Sequence, residues 1–112
     1  MIVMQNGIYW LEFQSLGYAG FGLIVVKDGS LNGGDSGYFY AGKYSLEENV
    51  VSIRVRVTRH NPAWITVFGP VEQFDLELSG EASPNQFVVT GKMPTMPNLT
   101  IRVIGKRLGD VS

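Results

Sequence analysis

Along much of the chain, apolar and polar residues alternate one by one. The clearest run is Val50 to Thr58: Val51, Ile53, Val55 and Val57 form one row, and Ser52, Arg54, Arg56 and Thr58 the other. A period of two is that of an extended strand, and one apolar row beside one polar row marks a strand buried on a single face. Gln73 to Ser79 repeats the pattern, with Phe74, Leu76 and Leu78 against Gln73, Asp75, Glu77 and Ser79. Gln86 to Lys92 sets Phe87 and Val89 on one side, and Leu99 to Arg107 sets Leu99, Ile101 and Val103 against Thr100, Arg102 and Lys106. Near the start both rows are largely apolar: Tyr9, Leu11 and Phe13 oppose Ile8, Trp10 and Glu12. A strand covered on both faces, the second by a partner chain, reads this way.

Three more strands are predicted over Gly20 to Lys27, Leu31 to Gly33 and Tyr38 to Tyr44. Turn signals separate them. Asp28-Gly29 is the residue pair that a tight primed hairpin turn favours. Leu46-Glu47-Glu48-Asn49 reads as a short polar hairpin connection and Ser83-Pro84-Asn85 as another turn. The longest connection, Asn61 to Pro70, is irregular and is expected to hold a helical turn or a covering loop. No stretch keeps a 3.6-residue apolar period. About eight short strands joined by short turns favour neighbouring antiparallel pairs. Closure removes the exposed sheet edges that such a chain would otherwise present. The expected fold is therefore all-β, an eight-stranded antiparallel up-and-down barrel of the lipocalin-like kind, with a two-sheet sandwich as the alternative.

Composition narrows the function classes. The 112 residues suit one domain, 1–112, and 45% apolar with 17% charged residues is a globular balance. A formal net charge of -1 supplies no global field toward nucleic acid or acidic membranes. The absence of cysteine excludes disulfides, thiolate catalysis and thiolate metal sites, and fits a reducing compartment. The N-terminal residues show no signal-peptide pattern, and no apolar run approaches the ~18 residues of a membrane span. The expected location is the cytoplasm. Asn98-Leu99-Thr100 matches a glycosylation sequon by chance.

Candidate chemistry is sparse. His60 is the single histidine and has no nucleophile signature beside it, so it reads as a surface residue at a strand end. Asp75 and Glu77 share one solvated face instead of confronting each other across a cleft. Gly20-Phe21-Gly22 and Gly33-Gly34-Asp35-Ser36-Gly37 lack the following helix that a phosphate loop needs, and suit a bulge, a bend or close strand approach. Arg54, Arg56 and Arg59, with Lys43 and the tyrosines Tyr38, Tyr40 and Tyr44, would make a basic aromatic face if both rows pointed outward. The alternation of the tyrosines also suits a barrel interior. No enzyme, metal or cofactor is expected, and no nucleic-acid or membrane partner.

The order of short motifs carries more information. Asn6-Gly7-Ile8-Tyr9 opens the first strand, and Gly20-Phe21-Gly22-Leu23-Ile24 follows. Then come Lys27-Asp28-Gly29, Gly33-Gly34-Asp35, Tyr40-Ala41-Gly42 and an acidic turn after Ser45. This series, from Asn6 to Asn61, resembles the GrlR family, negative regulators of type III secretion in enteric bacteria. The resemblance implies a lipocalin-like barrel that pairs as a homodimer and has no enzyme activity. It also implies binding and restraint of a transcriptional activator, in part through an exposed turn of four carboxylates. Here the corresponding turn is Leu46-Glu47-Glu48-Asn49, acidic at its two middle positions only.

Two functions are therefore weighed. The first is a cytoplasmic regulator that binds a protein partner through Leu46, Glu47, Glu48 and Asn49 and dimerises through a face holding Ile8, Trp10 or Trp64. The second is a small-ligand carrier whose lumen is lined by Tyr9, Phe13, Phe21, Tyr38, Tyr40 and Phe87. An eight-stranded barrel leaves room for packed side chains or one small ligand, so a filled or a hollow interior separates the two.

Overall fold

The computed structural model describes residues 4–15, 17–63, 72–93 and 96–112. Its eight strands are β1 (Gly7–Ser15), β2 (Tyr18–Lys27), β3 (Ser30–Gly34), β4 (Tyr38–Glu47), β5 (Val50–Arg59), β6 (Gln73–Ser83), β7 (Gln86–Met93) and β8 (Met96–Gly109). They follow one another in order around a closed barrel, every neighbour antiparallel, and β1 pairs with β8 to complete the ring. The expected up-and-down barrel is the fold, and the sandwich alternative falls with the closure. Several strands run further than the alternation suggested. In β6 the inward positions after Leu78 are Gly80 and Ala82, so an apolar row continues without a bulky residue to announce it. Most of the Asn61 to Pro70 connection lies outside the described residues, as do Trp64 and the Leu99 side chain.

Tight turns set the registers. Asp28 and Gly29 both have positive φ, 49° and 86°, as a type I′ hairpin turn requires. Asn6 secures this turn from outside. Its side-chain amide donates to Asp28 Oδ1 at 3.0 Å, and its Oδ1 accepts the Asp28 N–H at 3.0 Å. Glu48 and Asn49 join β4 to β5, with Glu47 opposite Val50, and Pro84 and Asn85 join β6 to β7, with Ser83 opposite Gln86.

The inward rows explain how so few residues close a ring. Gly20, Gly22, Gly33, Gly42, Gly80, Gly91 and Gly105 all occupy inward positions. Their cross-strand partners are Phe13, Leu11, Tyr40, Val55, Val89, Leu78 and Phe87. Each glycine thus faces a larger side chain, the large–small pairing that fits a narrow barrel. The Phe13 and Phe87 rings lie over Gly20 and Gly105, where an added Cβ would stand 2.2 Å from ring carbon. Elsewhere the backbones themselves come close. A Cβ on Gly91 would stand 1.9 Å from the Glu77 carbonyl oxygen, and one on Gly80 2.0 Å from that of Val88. Gly91→Ala is therefore expected to cost roughly 2 kcal/mol, the scale of overpacking. Gly109→Ala, with nothing within 4 Å of its added Cβ, is expected to stay within about 0.5 kcal/mol of the parent. Urea unfolding of both variants measures this, and equal midpoints would show that the inward glycines are not required.

Candidate functional site

The barrel has two unlike ends. The hairpin turns at Asp28-Gly29, Glu48-Asn49 and Pro84-Asn85 gather at one end, beside the described N-terminal residues and the end of β8. This end is packed shut. Met4, Tyr9, Val26, Val51 and Phe87 are fully buried there or just below it. The Tyr9 hydroxyl donates to the Gln5 carbonyl at 2.7 Å and lies 3.2 Å from the Pro84 carbonyl, and its ring meets Phe87 at 5.8 Å. Burial raises the Tyr9 phenol above its ordinary pKa, with nearby Arg107 opposing the shift.

Toward the other end the described residues enclose a hollow interior. A cavity of about 670 Å³ is walled by Leu11, Phe13, Ile24, Leu31 and Ile53 and by inward residues of β5 to β8. Its polar groups come from the β3–β4 connection, Asp35, Ser36 and Gly37, and from Tyr38 and Tyr40. Asp35 Oδ1 accepts the N–H groups of Gly37 and Tyr38, each at 2.8 Å, and Oδ2 accepts the Tyr40 hydroxyl. His60 holds the connection from outside. Its Nε2 lies 3.0 Å from the Asp35 carbonyl oxygen, and its N–H donates to the Gly37 carbonyl at 2.9 Å. Phe13 and Tyr40 stand edge to face at 6.5 Å inside the mouth.

The outer wall divides too. On β1 and β2, Ile8 pairs with Val25 and Trp10 with Leu23, while the Trp10 and Phe21 rings stack at 5.4 Å and 21°. Phe21 is 54% exposed and Leu23 50%, an apolar surface on β2 beside β1, the strand whose two apolar rows the sequence displays. On β5 and β6, ion pairs cover the wall: Arg54 with Glu77 at 2.6 Å and Arg56 with Asp75 at 2.9 Å. The Arg56 contact holds the Asp75 carboxyl below its ordinary pKa. Tyr38, Tyr40 and Tyr44 face the interior instead, so the basic row and the tyrosine row lie on opposite faces of the wall.

At the packed end, the β4–β5 hairpin exposes Glu47, Glu48 and Asn49. Glu48 has φ 58°, a left-handed conformation that a non-glycine residue seldom takes. Across the sheet Glu47 pairs with Val50, and Val50 with Glu81, which sets a third carboxylate in the same outer row. Among the described residues no ion pair engages Glu47, Glu48 or Glu81. Val50, between Glu47 and Glu81, is 47% exposed.

A closed barrel of this kind with ordered glycine motifs invites comparison with known families. One family model, described as T3SS negative regulator, GrlR, matches residues 4–111. The chain belongs to the GrlR family. T3SS denotes the type III secretion system. No curated protein matches the chain.

The motifs that suggested GrlR are mostly architectural. Asn6 and Asp28 bond to each other, as do Asp35 and Tyr40, and Gly20 and Gly22 make room for Phe13 and Tyr40. Of the proposed lumen residues, Phe13, Tyr38, Tyr40 and Phe87 border the cavity through inward side chains. Tyr9 is absent from the cavity wall, because its hydroxyl caps the packed end. Phe21 borders the cavity, yet its ring lies on the outer wall against Trp10. Leu46 is partly buried against the core, while Glu47, Glu48 and Asn49 are exposed. Ile8 and Trp10 lie together on the outer wall. Glu81 carries no local sequence signal, and Asp35 shows only as part of the Gly33-Gly34-Asp35-Ser36-Gly37 run. The register that brings Glu81 beside Val50 spans distant segments, and the role of Asp35 depends on which end of the barrel is hollow.

Burial, then the Asp35 hydrogen bond, raises the Tyr40 phenol far above its ordinary pKa. The folded chain therefore holds this proton more tightly than the unfolded chain. That stabilisation is complete below the ordinary phenol value of about 10 and is lost as pH rises above it. Urea midpoints are expected to fall between about pH 8 and about pH 11, and Tyr40→Phe is expected to lessen the fall. Equal falls in both proteins would contradict the assignment.

Proposed function

We propose that the chain is a non-enzymatic negative regulator that restrains a protein partner, a transcriptional activator of type III secretion being the expected one, through the acidic hairpin. One observation carries the reading. Glu48 occupies a left-handed position where a turn selected for stability would carry Gly, Asn or Asp, and strained residues of this kind gather at functional sites. Family membership supports the regulatory role. Two further carboxylates, Glu47 and Glu81, flank an exposed Val50, so the patch suits a basic surface with an apolar centre. Charges held on a rigid turn speed encounter with such a surface and lose effect in salt.

Glu48→Gly is expected to raise folding stability by up to about 1 kcal/mol through relief of the left-handed strain, while weakening partner binding. The triple change Glu47→Gln, Glu48→Gln, Glu81→Gln is expected to weaken binding by roughly 1 to 3 kcal/mol, the scale of charged hydrogen bonds. Its stability should hold, since exposed charges contribute little to folding. Affinity for a partner captured from the source cytosol measures both. Unchanged affinity at low ionic strength would overturn the reading.

The same proposal includes a homodimer formed through Ile8, Trp10, Phe21, Leu23 and Val25, since apolar surface of this kind on a small domain is normally covered. Leu23→Lys is expected to shift sedimentation from dimer to monomer at about 100 μM. A parent protein that is already monomeric at that concentration would remove the dimer from the proposal.

A further inference from the structure

We propose that the lumen binds a small apolar molecule whose polar end donates a hydrogen bond, an alcohol or an amine on an alkyl or aryl body. The cavity of about 670 Å³ falls within the ~300–1,000 Å³ of drug-sized ligand pockets. Its wall is aliphatic and aromatic, with Leu11, Ile53, Val55, Leu76, Val89 and Val103 among the lining side chains. An apolar chamber of this kind holds water poorly and takes up apolar guests.

The mouth sets the headgroup. Among the described residues Asp35 is the one acidic residue on the wall, and no Lys, Arg or His lines it. Its Oδ1 is engaged by two N–H groups, whereas among the described residues Oδ2 accepts the Tyr40 hydroxyl alone and keeps lone-pair capacity for a second donor. The His60 ring is at the Asp35 main-chain carbonyl, so it does not occupy the carboxylate. An incoming alcohol or amine finds an acceptor there, whereas a fatty-acid carboxylate meets like charge without a cation. The cavity lies at the end of the barrel away from Glu48, so this site and the partner-binding reading fail separately.

The test uses the full chain and N-phenyl-1-naphthylamine, a fluorescent aromatic amine. Saturable uptake near one equivalent is expected, with 1-decanol displacing the dye at least about tenfold more tightly than decanoate, a difference near 1.4 kcal/mol. Val55→Trp, which fills the lumen, is expected to abolish uptake while unfolding remains cooperative. Asp35→Asn keeps an oxygen acceptor for Gly37 and Tyr38, removes the charge, and is expected to bring decanol and decanoate close together. Three results would each overturn the site: no saturable uptake, decanoate matching decanol on the parent protein, or Val55→Trp binding dye like the parent. If Val55→Trp does not fold, the Asp35→Asn comparison decides, and an undiminished preference for decanol in that variant would overturn the site.

Discussion

Closing eight short strands into one ring is the constraint on which the rest of this structure depends. A narrow barrel makes each strand coil hard against its neighbours, and inward side chains compete for a small central volume. Inward glycines such as Gly20, Gly42, Gly80 and Gly105, each opposite a larger residue, relieve both conflicts. Where backbones approach, as at Gly80 and Gly91, no Cβ fits. Where rings need room, as at Gly20 and Gly105, Phe13 and Phe87 take it. The glycines cost backbone entropy in a strand, and the closed ladder, in which every strand pairs with a neighbour on each side, offsets that cost.

The same packing separates the two ends. Tyr9, Phe87 and Met4 fill the end that carries the tight hairpins, so those turns sit on a rigid base. Toward the other end the inward residues are mostly aliphatic and leave the centre open, with Asp35 and Tyr40 at the mouth. A protein that binds a partner through a rigid turn and a ligand through a hollow mouth would keep the two surfaces apart in this way. The outer wall adds a third division. Ion pairs cover β5 and β6, whereas β2 exposes Phe21 and Leu23 beside the half-buried Trp10 of β1.

Much of the fold was legible in the sequence because period-two alternation survives wherever bulky residues occupy the inward row, as from Val51 to Val57. It faded where glycine took that row, so β6 looked shorter than it is. The Asp28-Gly29 turn was legible because its φ values demand those residues. The sites were less legible. Tyr9 and Phe13 share a row, yet one caps the packed end and the other borders the cavity, a difference set by position along the barrel axis. Glu81 joins Glu47 only through the β4–β5–β6 register, which no local pattern encodes.

The acidic hairpin as the partner contact is the claim that hydrogen exchange tests most directly. Amide exchange would be followed in the free protein and in its complex with the captured partner. Slowed exchange is expected around Glu47 to Val50 and around Glu81, with the Asp35 to Gly37 connection unchanged. Unchanged exchange at the hairpin, with protection confined to the cavity end or to the β1–β2 wall, would contradict it.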